Sequence, residues 1–522
     1  MKGENRLTER SFTLASLSFF FLLAWLWASW WMGDLLRITY EQSFFAPDPT
    51  LMHWLWQQPF GSLWILGRAL LTLYRWPLLG GFVLALLLTV TSWLVGYCLR
   101  LPFRWRWAQF LPASAWMTWA AWQGVGLYFQ SEPGRATGAL ILGFLVCAVD
   151  AFIIWTFKSR RKVNVASEVL ATPTVPVGMA ALLKMLFLVI CFALPVLVTH
   201  FRHPYARPLS RMQVQLLHQD WQGMVETAHD HAHLSYRPLA AFYAIALVHT
   251  GHLADQLFDI RLEYDSLRIT NRNGLPDVGS DLYTIDGDYH AGLFRPATHK
   301  AMELLTMQGP TLFALKHLTR LALLDDDWAL ARKYLHVLRQ APFEQAFIQK
   351  YAPMIGHPEL VQADPEFATV LKTVPVEDSF ESQYQQPTFL GFAAVRIKGN
   401  TPEALVQSLM ANLYSKRMPD FLFRCQPLIG TTPPATIAEG LVTQTVKNPG
   451  IVQAFPTLQL EVQRYQGFLR AVAPYMRDRA AAPPQLFDQY RGYYPYYYFF
   501  GNLRATRKAN DTEPSKSKAG VN

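Results

Sequence analysis

Residues 138–157 read GALILGFLVCAVDAFIIWTF, twenty positions with a single charge, Asp150. At about 1.5 Å per residue a helix of this length matches the roughly 30 Å hydrocarbon core of a bilayer. Four further windows share its character, 11–32, 79–99, 107–129 and 179–200, so the first 200 residues predict a transmembrane bundle of about five spans. The composition agrees: hydrophobic residues make up 51% of the chain and charged residues only 16%, well below soluble proteins.

The first window follows Lys2, Arg6 and Arg10 like a secretory signal, but its apolar core is too long and no small-x-small cleavage site follows it. It is expected to remain as an anchor. Lys and Arg flank the windows unevenly. Lys2, Arg6, Arg10, Arg100, Arg104, Arg106, Lys158, Arg160, Arg161 and Lys162 fall on one side, against Arg37, Arg68, Arg75 and Arg135 on the other. This bias predicts a cytoplasmic N-terminus, and an odd number of spans then carries everything after His200 to the periplasmic face of a bacterial inner membrane. The apolar stretch 63–73 is interrupted by Arg68 and closed by Arg75-Trp76-Pro77, which suits an interfacial or re-entrant helix. As a sixth span it would move the large domain inside.

Beyond residue 200 the pattern becomes helical hairpins with polar turns. Residues 310–342 read PTLFALKHLTRLALLDDDWALARKYLHVLRQAP, two amphipathic helices about an acidic turn, closed by proline. This resembles a degenerate tetratricopeptide repeat, with Leu315, Leu318, Ala322, Trp328, Ala331 and Leu335 at packing positions and Asp326 where a glycine is expected. Residues 237–259 repeat the theme, with Gly251 at the turn. The fold class read from these patterns is all-α, with a tetratricopeptide-like domain over 201–503 and a disordered polar tail over 504–522. Residues 271–295 are expected as a long loop or short hairpin, 389–395 as a short strand, and 402–414 as a helix.

Candidate chemistry is sparse. Asp150 in the fourth window and Lys184 in the fifth lie at similar depth and predict an intramembrane ion pair, with a proton or ion pathway as the functional alternative. His229 and His233 would share a face at metal-ligand spacing if one helix ran through both, with His249 and His252 as recruits. A polar helix end is the simpler reading, and no cofactor is expected. Asp286-Gly-Asp288 has the form of an acidic metal-diphosphate pair, but turns favour aspartate for capping, as at 325–327. Tyr493, Tyr494, Tyr496, Tyr497 and Tyr498 form an aromatic cluster suited to covering the helical array, resting at the bilayer interface, or stacking on a ligand. The charge of +9 sits in short runs beside apolar stretches, which argues for membrane topology and against nucleic acid. Of the four cysteines only Cys425 lies outside the apolar windows and the loops joining them, so no disulfide forms within the large domain. P-loop, GxSxG, CxxC and dinucleotide fingerprints are absent.

The chain resembles an uncharacterised family of bacterial multi-pass membrane proteins, through YEQSFFAPDP, WQQPFGS and LYRWPLLGG in the first loop, LARKYLHVL, and the ending YRGYYPYYYFFGN. The resemblance implies a membrane anchor with a repeat-like domain and brings no activity or catalytic residues. The functional expectation is a scaffold whose helical surface binds another envelope protein or peptide. The alternative is a component of an envelope transferase or transporter acting on a lipid-linked or small substrate through Asp150 and Lys184, or through Glu41 and Asp48.

Overall fold

In a computed structural model of the protein, residues 2–101, 103–123, 133–158, 177–262, 283–375, 401–479, 482 and 484–501 are described. All regular structure among them is helical. The chain forms two compact units, one comprising Met1–Ser210, Leu305–Lys316 and Tyr334–Gln349, the other Arg211–Leu304, His317–Lys333 and Lys350–Asn522.

The first unit contains four helices long and apolar enough to cross a membrane: Thr13–Trp31, Pro77–Cys98, Thr137–Thr156 and Met185–Arg202. The protein is therefore membrane-associated. The window at 107–129 behaves differently. Phe103–Phe110 is a 3-10 helix and Leu111–Gln123 a separate α-helix of 13 residues, while 124–132 lie outside the described residues. Pro112 has no N–H to donate, so it sits in the first turn of a restarted helix rather than inside a continuous one.

Side-chain contacts fix the direction of each helix. Trp107 meets Phe187 at 4.6 Å, Ser114 Oγ donates to the Cys191 carbonyl at 3.1 Å, and the Arg202 guanidinium lies 3.7 Å from the Trp122 ring. The two partners advance together, so the 103–123 segment runs parallel to Val177–Arg202. Arg106 donates to Thr13 Oγ1 at 2.7 Å and Phe110 packs 4.7 Å from Phe20, giving the N-terminal helix the same direction. Trp25 Nε1 donates to the Leu78 carbonyl at 3.0 Å, joining the end of that helix to the start of Pro77–Cys98, which therefore runs back. The Tyr74 side chain, just before Pro77–Cys98, is hydrogen-bonded to Thr137, and the thiol of Cys98 donates to the Cys147 carbonyl at 3.2 Å, so Pro133–Lys158 descends alongside it. Close approach needs glycine at two points. A Cβ on Gly81 would strike Ser29, and one on Gly138 would lie 2.9 Å from the Leu63 carbonyl oxygen. That second contact seats Gly61–Leu71, only 11 residues long, on the opening turns of Pro133–Lys158.

In the second unit, Trp221–Asp230 packs on Arg237–Thr250, whose residues from Arg237 to Leu247 are all buried. Asp220 caps the first helix by accepting the Gly223 N–H at 3.0 Å. Gly251, at φ 78°, closes the second: its N–H reaches the Val248 carbonyl and that of His252 the Leu247 carbonyl. The acidic turn between Leu312–Leu324 and Trp328–Leu338 places Asp326 at φ 55°, the left-handed conformation a glycine would otherwise supply. Ala331 and Leu335 are buried and Trp328 half-buried. The expected loop at 271–295 is corrected over its described part: Thr284–His290 is a buried helix and Phe294–Gln308 another, while 263–282 lie outside the described residues. The expected strand at 389–395 and the tail at 504–522 also lie outside them. Pro402–Tyr414 is a helix, N-capped by Thr401.

Candidate functional site

The first-loop motifs converge on one buried cluster within the first unit. Gly33–Glu41 ends with Tyr40 and Glu41, and the 3-10 turn Thr72–Arg75 supplies Arg75. Lys316 projects from Leu312–Leu324, and Glu344 immediately precedes Gln345–Tyr351. Glu344 Oε1 accepts the Tyr40 hydroxyl at 2.5 Å and Arg75 Nη1 at 3.1 Å, while its Oε2 takes Lys316 Nζ at 2.9 Å. Lys316 also reaches Glu41 Oε2 at 2.6 Å. Two carboxylates and two cations thus neutralise one another out of water, the condition under which buried charge is tolerated. Burial, and then the charge of Glu344, push the Tyr40 phenol far above its ordinary value, so it stays a neutral donor.

Backbone bonds extend this contact. The Leu312 N–H donates to the Ser43 carbonyl at 3.1 Å, and Arg68 Nη1 reaches the carbonyls of Phe44 and Pro310 at 3.2 and 3.4 Å. Trp76 meets Phe343 edge-on at 4.7 Å. A cavity of about 10 Å³ between Tyr40, Ser43, Arg68 and Leu312 has room for about one water. This arrangement holds segments together, with Glu41 and Glu344 both engaged by Lys316. Asp48 has a different task. Its carboxylate accepts the N–H groups of Thr50 and Leu51 at 3.0 Å and caps Pro49–Gln57.

A second carboxylate hub organises the other unit. Glu366 accepts Tyr289 and Tyr351 hydroxyls, each at 3.0 Å, and Gln219 Nε2 at 2.6 Å, with Arg320 and Lys350 at 3.4 and 3.6 Å. Burial alone would raise its carboxyl, but Arg320 and then Lys350 hold it below the usual range. Beside it, His249 Nε2 and His290 Nδ1 lie 2.9 Å apart, and His249 stacks on Trp221 at 3.8 Å. Burial pushes His249 down to about 4, so this pair is neutral at physiological pH.

Trp221–Asp230 ends before His233, which is exposed in the following turn, and His229 bonds the Tyr243 hydroxyl at 3.0 Å. The helix that would have aligned His229 with His233 is not there, and among the described residues no three metal-ligating side chains cluster. Asp286 pairs with His317 at 2.9 Å and Asp288 with Lys300 at 2.5 Å, so both carboxylates of the acidic pair are taken up by internal partners. Asp150 is exposed on its helix, while the side chain of Lys184 lies outside the described residues. Tyr493, Tyr494, Tyr496 and Tyr497 are buried and Tyr498 half-buried. The Tyr494 and Tyr497 hydroxyls donate to the carbonyls of Leu413 and Tyr414 at 3.2 and 2.6 Å, which makes them packing residues of the last helix, Tyr494–Phe500.

Tyr40, Arg75, Lys316 and Glu344 were not singled out as a site by sequence reasoning, although a signal existed. LFALKHLTRLALL sets Lys316, His317 and Arg320 among apolar residues, and polar or charged side chains there demand buried partners. Comparison with known proteins returns no match among curated proteins and none among solved structures. Residues 181–501 match the model of a family of unknown function, DUF6057. That match spans more than half of the chain and takes in both Lys316 and Glu344, so the protein belongs to the DUF6057 family.

Proposed function

We propose that the protein is a membrane-anchored scaffold of the bacterial inner membrane whose helical unit binds another envelope protein or peptide. The observation that carries this reading is a set of large apolar side chains left in water on the second unit. Phe423, Ile429, Val446 and Leu460 are 58%, 54%, 77% and 79% exposed. They lie on or beside successive elements between Met418–Arg424 and Gln459–Val472, where the Gly430 N–H donates to the Ala454 carbonyl at 3.3 Å. These side chains fall within one stretch of the chain, and exposed apolar area on a polar domain is a feature that interaction surfaces carry. The helical hairpins support a tetratricopeptide-like array, a form suited to extended partners.

The alternation of helix direction favours five passes. The 3-10 and α-helical pieces of 103–123 add about 16 and 20 Å of rise, enough together for a bilayer crossing. Gly61–Leu71 is too short to cross and reads as interfacial. With the basic flanks inside, the helical unit then faces the periplasm.

The reading is tested with photo-crosslinking residues placed at Phe423 and Leu460 in cells, with Arg339 as an exposed control, and with topology reporters at the N-terminus and Asn448. Discrete adducts at the two apolar positions, lost on Phe423→Asp, together with a periplasmic Asn448, are expected. Adducts at none of the positions, or a cytoplasmic Asn448, would overturn it.

A further inference from the structure

The chain leaves its last apolar helix through Arg202, His203 and Tyr205, and this exit has the chemistry of a headgroup site. Arg202 is exposed, lies 3.7 Å over the Trp122 ring, and has no carboxylate partner among the described residues. His203 fixes the same corner, with Nε2 2.9 Å from the Trp122 carbonyl oxygen and Nδ1 3.1 Å from the Tyr205 hydroxyl. A few residues on, Arg207 lies 4.0 Å over the Trp31 ring. Each tryptophan ends a segment that runs parallel to Val177–Arg202, so cations and rings gather at one level. Phe201 and Trp30, beside them, are 78% and 82% exposed.

We infer that Arg202 on its Trp122 platform binds the phosphate of an anionic phospholipid at this end of the bundle. Stacking occupies a guanidinium face and leaves its N–H edge free to donate, and a phosphate offers oxygens spaced for that fork. Phe201 and Trp30 supply the apolar flank that acyl chains cover at an interface. A carboxylate partner would have silenced Arg202, and none is present among the described residues. The inference rests on the membrane reading of the bundle and is independent of any protein partner.

The test uses the full-length protein in detergent, titrated with phosphatidylglycerol and read by native mass spectrometry, with phosphatidylcholine and inorganic phosphate as separate arms. Arg202→Gln should weaken phosphatidylglycerol binding about fivefold, the effect of one basic contact near a membrane surface, and weaken phosphatidylcholine binding less, because the choline ammonium offsets the charge of its phosphate. Arg202→Lys keeps the charge and loses the fork, so binding should fall between the two. It also serves as the measured variant if Arg202→Gln does not fold. Unchanged phosphatidylglycerol binding in the folded variant overturns the site. Displacement of phosphatidylglycerol by millimolar inorganic phosphate would assign it to a soluble anion and overturn the lipid.

Discussion

Tyr40 and Glu344 stand 304 positions apart in the sequence and share a hydrogen bond of 2.5 Å, Tyr40 donating. The bond closes a contact between the first loop of the membrane unit and segments that lie beyond residue 300. Lys316 completes it by reaching Glu344 and Glu41 together.

Removing one partner of such a cluster leaves buried charge without compensation. Glu344→Ala is expected to destabilise the first unit by about 3–5 kcal/mol, and Tyr40→Phe by about 1.5–3 kcal/mol through loss of one charge-assisted bond. Thermal unfolding in detergent, followed by tryptophan emission, reads both. If the Tyr40 variant melts lower than the Glu344 variant, the carboxylate is not the hub.

The long apolar helices and the helical class were readable because length and periodicity are local properties. Gly251 and the turn at 325–327 were readable for the same reason. The cluster around Glu344 was not, because its members come from four separated segments and no spacing rule joins residues 40, 75, 316 and 344. The helix that carries His229 ends at Asp230, in keeping with the polar helix end read there, although the exact terminus is the least predictable feature of a helix. The change from 3-10 to α-helix at Leu111 in the third window was not readable, because hydropathy alone does not weigh where Pro112 restarts a helix.

Glu366 should behave as a second hub. Glu366→Gln weakens its contacts with Arg320 and Lys350 and is expected to cost about 3–5 kcal/mol. Replacing Arg320 by Met and Glu366 by Leu together should cost less than the sum of the single changes, since the pair then leaves no unmatched charge. A double-mutant cycle from denaturant melts checks this. Strict additivity would show that the two side chains do not act on each other.

Asp326 holds a left-handed conformation that glycine adopts without strain. Asp326→Gly should relieve about 1 kcal/mol in the folded state and return part of it through the freer unfolded chain. The expected outcome is a change within about 0.5 kcal/mol, with Asp326→Val clearly destabilising because a β-branched side chain is poorly tolerated there. Equal melting temperatures for Asp326→Val and wild type would contradict the turn geometry.

Glu439 gives the helical unit a pH dependence near neutrality. It is buried against the last helix, accepts the Tyr494 N–H at 2.9 Å and Arg464 Nη1 at 3.1 Å, and has Glu461 close by. Burial pushes its carboxyl up to about 7, with Glu461 adding to the rise and Tyr494 and Arg464 opposing it. A carboxyl raised in the folded state binds its proton more tightly there than when unfolded. Its contribution is therefore fully present below the ordinary glutamate range and is lost as pH rises through about 7. Between pH 5 and pH 8 the wild type should lose up to about 3 kcal/mol that Glu439→Gln retains. Other groups titrate in both proteins, so the quantity to read is the difference between their pH profiles. Hydrogen exchange at the Tyr494 amide localises the effect, with faster exchange at pH 8 expected in the wild type after correction for intrinsic rates. Parallel pH profiles for the two proteins would show that Glu439 does not carry the proton.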